Sequence, residues 1–306
     1  MKIGIIGMGA IGEYISSMLS KNNEEVYVIA KGEALKKLKK DGIVLDNNEN
    51  EKLSVFPTLI TDNAEEAGIM DIVFICVKGY SLKAAAKAIE KMVHEHTLVI
   101  PIVNGVDIGY KLFSYLRKGK ILDAAMYTSS KVVNDRKEII KSNKIVISTN
   151  KNRPVYKIYL ELIYNVLTKA GIICEIKKDV EVFAWNKYVF NCAFNITDSY
   201  YDVGVKGILE DKMKFETFCN VAKECEEVGR SKGIKLAENI YEVSIETLKK
   251  LSKKSISSMH RDVISGRKFE LELFCGDLCR MGKAVGVPTP YTQKAYEKLK
   301  ILQAAN

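Results

Sequence analysis

The sequence predicts two domains: an α/β domain with a mostly parallel sheet, followed by an all-α domain. Three observations support this prediction. A glycine-rich turn follows an apolar run at residues 2–6, β-branched runs then alternate with helical stretches to about residue 150, and strand patterns stop near residue 178. The 306 residues and 47% apolar content suit two ordinary globular cores. We place the domains at residues 1–177 and 178–306.

The first domain opens with alternating strands and helices. Residues 2–6 predict a buried strand, and further strands are predicted at 26–29, 71–77 and 97–102, as in a βαβ series on a parallel sheet. Four more short runs follow without helix-length segments between them, so we expect antiparallel strands added at the sheet edge. These runs lie at residues 120–126, 130–133, 138–141 and 144–148.

A helix at 155–169 and a strand at 172–176 close the first domain. The second domain consists of segments rich in Glu, Lys, Ala and Leu, which favour helices. They lie near residues 179–201, 213–232, 236–252, 256–265, 269–285 and 291–303. No low-complexity linker separates the domains, so we expect the active cleft at their boundary.

Composition excludes several classes of protein. The formal charge is +9, but the lysines are dispersed along predicted helices without interleaved aromatics, so we expect no nucleic-acid partner. No apolar run approaches the roughly 20 residues of a membrane helix, and the first strand begins at residue 2. Seven scattered cysteines without a C-x-x-C pair indicate free thiols. We therefore expect a cytoplasmic protein without a membrane segment or a metal site.

The turn after the first strand has a dinucleotide-binding pattern. Gly7, Gly9 and Gly12 form G-x-G-x-x-G between a strand and a helix, and a second strand follows. The backbone N–H groups of such a turn approach a pyrophosphate, and the positive end of the helix favours its charge. We therefore predict a Rossmann-type domain. The turn residues expected to contact the cofactor are Gly7, Met8, Gly9, Ala10, Ile11 and Gly12.

The end of the second strand predicts which dinucleotide binds. An NAD enzyme places Asp or Glu there to accept the ribose hydroxyls, whereas this chain has Lys31, with Glu33 just beyond. A cation suits a 2′-phosphate, so we predict NADP(H), the alternative being a solvated surface lysine. Lys78 and Asn104 end two later strands at the edge where a doubly wound sheet binds ligands, and we expect both to contact a ligand.

A polar stripe marks the start of the second domain. Lys187, Asn191 and Asn195 stand four residues apart, so a helix would place one ammonium and two carboxamides on a single face. An amphipathic helix normally fills its inward face with apolar residues, and buried polar groups require partners such as a ligand. The stripe therefore predicts a substrate site.

A second motif lies near the C-terminus. Ser258 and Asp262 stand one helical turn apart, and Glu270 follows. Alone, these residues would equally suit a helix cap and surface charges. Combined with the glycine turn, the VK and NG pairs at 77–78 and 104–105, and the W-x-K-x-x-x-N-x-x-x-N run, they give the chain a full-length resemblance to the ketopantoate reductases (2-dehydropantoate 2-reductases).

The resemblance implies a Rossmann domain joined to a helical domain, and NADPH-dependent reduction of ketopantoate to pantoate for pantothenate and coenzyme A synthesis. Lys187 would donate a proton to the ketone oxygen, and Glu270 would contact the substrate hydroxyl and its network. The other implied roles are substrate binding for Asn191, Asn195, Ser258 and Asp262, a place between nicotinamide and substrate for Asn104, and cofactor contacts for Lys31 and Lys78.

The role implied for Lys187 also follows from elementary chemistry. Hydride arriving at a ketone carbon leaves negative charge on oxygen, which a positioned ammonium stabilises before it gives up a proton. Burial would lower the pKa of Lys187, whereas Glu270 would oppose that fall. The histidines are alternative acids, but His94 and His96 lie in a helix-to-strand connection and are expected at the surface. His260, inside the serine motif, is expected near the site without a required catalytic role.

Some positions depart from the family pattern. Ile196 stands where Pro is common, and Phe269 where Thr or Ser often precedes the glutamate. Reduction of another 2-keto acid is therefore an alternative, and so is a nucleotide-sensing protein without turnover. The 3-hydroxyacid dehydrogenases also use Lys-x-x-x-Asn, but they do not account for the serine motif. We expect a monomer or a homodimer.

Overall fold

The computed structural model divides the chain into two compact units, Met1–Val180 and Glu181–Asn306. It describes residues 1–46, 52–133, 136–148 and 156–305. All strands of this described part lie in the first unit, and the second unit is helical. The predicted order, an α/β domain followed by an all-α domain, is confirmed.

The first unit alternates strands and helices through most of its length. Its strands are β1 (Lys2–Ile6), β2 (Glu25–Ile29), β3 (Ile43–Asp46), β4 (Lys52–Val55), β5 (Leu59–Thr61), β6 (Ile72–Ile75), β7 (Leu98–Pro101), β8 (Lys120–Ile121), β9 (Asp123–Val133), β10 (Arg136–Ser148) and β11 (Ile173–Ile176). Its helices are α1 (Ala10–Lys21), α2 (Gly32–Asp41), α3 (Ala64–Ala67), α4 (Leu82–Ala88), α5 (Ile108–Tyr115) and α6 (Lys157–Lys169).

The main sheet has the strand order β5-β2-β1-β6-β7-β8, and its strands run parallel. The central strand β1 places Ile5 beside Val28 of β2 and Phe74 of β6. All four residues of β6 are buried, as expected for a parallel strand covered on both faces. Because the strands are parallel, the residues that follow β1, β2, β6 and β7 lie along one edge of the sheet.

The prediction of antiparallel strands at the edge of this sheet is wrong. Strand β8 extends the sheet in parallel to β7. Strands β9 and β10 instead pair antiparallel with each other and form a separate sheet with β11, which runs parallel to β10. Two long consecutive strands satisfy each other's backbone groups, and the crossover through α6 brings β11 to the other side of β10. Periodicity identifies a strand but not its partner.

The second unit is built from helices around an aromatic core. Its helices are α7 (Val180–Tyr201), α8 (Gly204–Leu209), α9 (Lys212–Ser231), α10 (Ile240–Lys250), α11 (Ser258–Ile264), α12 (Asp277–Val285) and α13 (Pro290–Ala305). A π-helical turn at Glu272–Gly276 leads into α12. Helix α9 packs against α8, α10, α12 and α13. In the core, the Trp185 ring meets Tyr188 edge to face, and Tyr188 stacks on Phe274.

Within the ranges that the structure describes, no helix combines the length and the apolar character required to span a membrane.

Candidate functional site

A tight glycine turn joins β1 to α1. Gly7 adopts a φ of +96°, a left-handed conformation that favours glycine, and a Cβ there would lie 2.6 Å from the Cys76 carbonyl oxygen. A Cβ on Gly12 would overlap the carbonyl oxygen of Gly7. Gly9, the N-cap of α1, instead has open space where a side chain would project. Gly7 and Gly12 therefore shape the turn, whereas Gly9 leaves room for a ligand at the helix N-terminus.

The N-terminus of α1 presents backbone donors to this open space. The helical hydrogen bonds begin with the Glu13 N–H, which donates to the Gly9 carbonyl oxygen at 2.9 Å. The N–H groups of the preceding turn, at Ala10, Ile11 and Gly12, have no acceptor within the helix. Together with the positive end of the helix dipole, they suit a pyrophosphate.

Lys31 borders a cavity of about 230 Å³ beside the glycine turn. The cavity is lined mainly by apolar side chains from the end of β2, from α2 and from α4, and by the turn residues Gly7 and Met8. Among the described residues, none that lines it is acidic. Glu33, the nearby acid, pairs with Lys36 at 2.9 Å. One cation and no carboxylate suit an anionic group such as a 2′-phosphate.

Lys78 and Asn104 lie at the same sheet edge as the glycine turn. Lys78 lies three residues after the end of β6, and Asn104 lies three residues after the end of β7, next to Gly105 at a φ of +114°. Strands β6 and β7 are neighbours, with Ile75 opposite Pro101 at their ends. Both polar side chains are half-buried. Their contacts with a cofactor stay predictions.

In the second unit, Lys187 and Asn191 lie one turn apart on α7, and both are half-buried. Burial lowers the pKa of the Lys187 ammonium to about 8, and the negative charge of Glu270 opposes this fall. A group with a pKa near the working pH can hold a proton and also release it, which suits a general acid.

Glu270 is held close to α7 by the π-helical turn that follows it. The Glu270 side chain is only 2% exposed. On α7, the Tyr188 hydroxyl donates to the Leu273 carbonyl oxygen at 2.6 Å. The Cys192 thiol donates to the Phe274 carbonyl oxygen at 3.8 Å. Side chains of α7 thus bind the π-helical turn directly. This turn follows Glu270 and keeps it within electrostatic reach of Lys187, although the two residues lie far apart in the sequence.

Asn195 connects α7 to the start of α11. Its side chain is 4% exposed, and its Nδ2 donates to the Asn191 carbonyl oxygen at 2.9 Å. Its Oδ1 accepts hydrogen bonds from the Met259 N–H at 3.0 Å and the Ser258 hydroxyl at 3.2 Å. The structure therefore brings Asn195 and Ser258 together, and it engages the Asn195 carboxamide within the protein. Direct contact of Asn195 with a substrate stays a prediction.

Asp262 lies one turn after Ser258 on α11 and is buried. Its Oδ1 accepts hydrogen bonds from Arg267 Nε at 3.1 Å and Nη2 at 3.0 Å. The Arg267 N–H also donates to the Asp262 carbonyl oxygen at 2.9 Å. The two charge-assisted contacts and the backbone hydrogen bond together hold the turn that follows α11. A substrate contact for Asp262 is likewise a prediction.

The histidines differ in their surroundings. His94 and His96 are exposed in the connection before β7, as predicted. His260 is buried between two carboxylates, with its Nδ1 3.0 Å from Asp198 Oδ1 and its Nε2 2.5 Å from Asp202 Oδ1. Sequence reasoning missed both aspartates. The signal available was their spacing, which continues the polar stripe of α7 toward its C-terminal end.

Residues 1–46, 52–133, 136–148 and 156–305 contain no grouping of three or more His, Cys, Asp or Glu side chains able to hold a metal ion.

Comparison with known proteins identifies the relatives of this chain. Residues 3–150 match the family described as Ketopantoate reductase PanE/ApbA, and residues 179–303 match Ketopantoate reductase PanE/ApbA C terminal. An uncharacterized oxidoreductase of Bacillus subtilis, YkpB, is 26% identical over 309 residues, which cover 99% of each chain. A 2-dehydropantoate 2-reductase of Aquifex aeolicus is 25% identical over 312 residues, covering 100% of this chain and 98% of that protein.

Solved structures share the fold at lower identity. A PanE/ApbA family ketopantoate reductase of Ralstonia eutropha JMP134 has a TM-score of 0.88 and 22% identity, covering 100% of this chain and 99% of that one. A D-mandelate dehydrogenase, in a ternary structure with NADH and anilino(oxo)acetate, has a TM-score of 0.87 and 19% identity at the same coverage. A dimeric ketopantoate reductase of Staphylococcus aureus has a TM-score of 0.82 and 16% identity, again at that coverage.

Proposed function

The chain belongs to the ketopantoate reductase family, and from this premise we propose that it reduces 2-dehydropantoate to pantoate with NADPH. It is an oxidoreductase of that family, and the proposed reaction would serve pantothenate and coenzyme A synthesis. The observation that carries the proposal is the Lys187 ammonium, whose pKa is lowered by burial to about 8 beside Glu270. That ammonium can stabilise a developing alkoxide and then protonate it.

A bound nicotinamide would supply hydride to the keto carbon. Negative charge then develops on the keto oxygen, and Lys187 Nζ donates its proton to that oxygen. Glu270 favours the charged form of Lys187 and so keeps the proton in place at neutral pH. Asn191, one turn from Lys187 on α7, and Ser258, held by Asn195, offer a carboxamide and a hydroxyl for the polar groups of the substrate.

NADPH is the proposed cofactor because Lys31 borders a cavity without acidic lining beside the glycine turn. The turn fits a dinucleotide, since Gly9 leaves open space at the N-terminus of α1. In this proposal Lys31 binds the 2′-phosphate, and Lys78 and Asn104 contact the cofactor from the ends of β6 and β7.

Reduction of a different 2-keto acid is the second candidate. It is favoured by Phe269, a buried residue directly before Glu270, at a position where the family often has Thr or Ser. The relatives also differ in activity, since one structural neighbour is a D-mandelate dehydrogenase. We further propose a cytoplasmic location, which the free thiols of the cysteines support. The proposed assembly is a monomer or a homodimer, and the S. aureus relative is dimeric.

A panel of 2-keto acids assayed with NADPH and with NADH tests the proposal. We expect the highest kcat/KM for ketopantoate with NADPH. Lys187→Ala should reduce turnover by about 10² to 10⁴-fold while NADPH binding is retained. Lys249→Ala, which changes an exposed lysine of α10, is the matched control.

Each other outcome has a distinct meaning. A higher kcat/KM for another acid of the panel would favour the second candidate. NADPH binding without any turnover would point to a sensing protein, and near wild-type turnover by Lys187→Ala would overturn the proposed mechanism.

A further inference from the structure

The polar face of α7 continues past the residues assigned to the reaction. Asp198 and Asp202 follow Asn195 by three and seven residues, so they lie on the same side of the helix and its C-terminal end. The Asp198 side chain is fully buried, whereas that of Asp202 is 75% exposed. A buried carboxylate requires hydrogen-bond donors, and the donors to Asp198 show which segments it fixes in place.

Asp198 holds two segments of the second unit. Its Oδ1 accepts a hydrogen bond from the Gly204 N–H, the first residue of α8, at 2.6 Å. Its Oδ2 accepts from the Ser257 N–H, directly before α11, at 2.5 Å. The Nδ1 of His260, in the first turn of α11, lies 3.0 Å from Oδ1. One carboxylate therefore fixes α11 from both the cap residue and the first turn.

Ser258 lies between two anchored backbone groups. The N–H before it, at Ser257, binds Asp198, and the N–H after it, at Met259, binds Asn195. The Ser258 hydroxyl also donates to Asn195 at 3.2 Å. Its position is thus defined by the same helix that carries Lys187, through three hydrogen bonds to two side chains.

The protonation of His260 is part of this arrangement. Both ring nitrogens face carboxylate oxygens, and a neutral imidazole has a single N–H, so both contacts are hydrogen bonds only for the imidazolium. In the described chain, the charges that act on the ring are Asp198 and Asp202. Burial acts to lower the pKa of His260, but the hydrogen bonds to the two aspartates and their negative charges together outweigh it, so the pKa is raised.

We propose that Asp198 and His260 are positioning residues that hold the Ser258 hydroxyl for the 2-keto acid, so that substrate affinity depends on them without direct contact. This inference rests on the proposed function. It assigns a task to the segment after Asn195, which departs from the family pattern. Asp202 assists by favouring the charged form of the imidazole from its exposed side.

Steady-state kinetics of the NADPH-loaded enzyme test this proposal. In His260→Gln, we expect the KM for the keto acid to rise about tenfold, the effect of one lost positioned hydrogen bond. The kcat per NADPH-binding site and the Kd for NADPH should stay within about threefold of wild type. Asp202→Asn should raise KM less, because Asn tolerates the left-handed φ of +56° and retains an acceptor for the ring. The control is His96→Gln, at an exposed histidine.

A double-mutant cycle with Ser258→Ala separates positioning from general destabilisation. If His260 acts through Ser258, adding His260→Gln to Ser258→Ala should raise KM little further. Additive effects on KM would overturn the proposal, and so would a His260→Gln enzyme with unchanged KM. Asp198→Asn should behave like His260→Gln, and if it fails to fold, the other variants still decide.

Failure of the proposed function would be recognised separately. If the wild-type enzyme reduces no acid of the panel, that function fails. Calorimetric binding of the same acids to the NADP-loaded protein then replaces KM in the cycle. If His260→Gln weakens binding in the wild-type background but not in the Ser258→Ala background, the positioning role is still supported. Equal binding by His260→Gln and wild type, or no binding to wild type, would overturn it.

Discussion

Replacing Glu270 with Gln should move the pH dependence of keto-acid reduction to lower pH. Lys187 has its pKa lowered by burial to about 8, with Glu270 acting in the opposite direction. A pKa of about 8 leaves about 90% of Lys187 charged at pH 7 and about 10% at pH 9. Because the charged form donates the proton, kcat/KM for reduction should fall about tenfold over this interval.

The sign of the change in Glu270→Gln follows from the two causes. Gln removes the negative charge but keeps the size of the side chain, so burial acts on Lys187 with less opposition and its pKa falls below 8. The alkaline loss of reduction then begins at lower pH. Oxidation of the hydroxy acid requires the neutral amine, so its rate should rise with pH and rise earlier in the variant.

The assay measures kcat/KM between about pH 6 and pH 10 at saturating NADPH, since kcat/KM then reports on the enzyme before the keto acid binds. Glu238→Gln, at an exposed acid, should leave the profile unchanged. A Glu270→Gln profile that coincides with wild type would refute the electrostatic coupling. A wild-type profile that stays flat to pH 10 would refute the role of Lys187 as the acid.

Three further predictions concern the cofactor turn and the helical core. Lys31→Glu should lower kcat/KM with NADPH about 10- to 100-fold relative to kcat/KM with NADH, which is the effect of one lost charge-assisted contact. The control is Lys37→Glu on the exposed side of α2, which should not change this ratio. Equal losses with both cofactors would count against a 2′-phosphate site. Gly9→Ala should weaken NADPH binding with little change in the melting temperature, because its Cβ enters the open space at the N-terminus of α1. Gly12→Ala should lower the melting temperature, because its Cβ overlaps the Gly7 carbonyl oxygen. Similar melting temperatures of the two variants would contradict the separate roles of Gly9 in binding and Gly12 in folding. Glu224→Ala should lower the free energy of unfolding by about 1–3 kcal/mol, because its buried carboxylate accepts hydrogen bonds from the Tyr291 and Thr292 N–H groups and the Thr292 hydroxyl at the start of α13. Glu227→Ala, at an exposed acid of the same helix, is the control in denaturant unfolding, and equal stability of the two variants would be inconsistent with the capping role.

Hydrophobic periodicity predicted the elements whose pattern is local and long. The buried strand β6 is a continuous apolar run, and α7 has 22 residues, so both were identified from the sequence. The six-residue helix α8 was missed, since it is too short to establish a 3.6-residue period. The short strands β3, β4 and β5 were missed as well, because the segment between β2 and β6 was expected to be helical. Strands β9 and β10 were wrongly assigned to the edge of the main sheet, because the sheet to which a strand belongs depends on contacts between distant segments.

The candidate site shows the same limit. The spacing of Lys187 and Asn191 follows from helix geometry alone, and the three glycines of the turn follow from backbone geometry. The contact between Asp198 and His260 joins α7 to α11, which lie far apart in the sequence, and no local pattern predicts it. The proximity of Glu270 to Lys187 was expected from the resemblance, whereas the π-helical turn that maintains it was not.

The polar residues of α7 become more buried toward its C-terminal end. This difference distinguishes residues that act in the reaction from residues that position others. Lys187 and Asn191 are half-buried, which leaves part of each side chain accessible, whereas Asn195 and Asp198 are nearly or fully buried with protein partners. A polar group already satisfied by the protein gains little from a ligand, so it acts by fixing its partner. Changes at Lys187 should therefore alter the reaction itself. Changes around Asp198 should alter which acid fits beside Ser258, and we expect variation in substrate preference there.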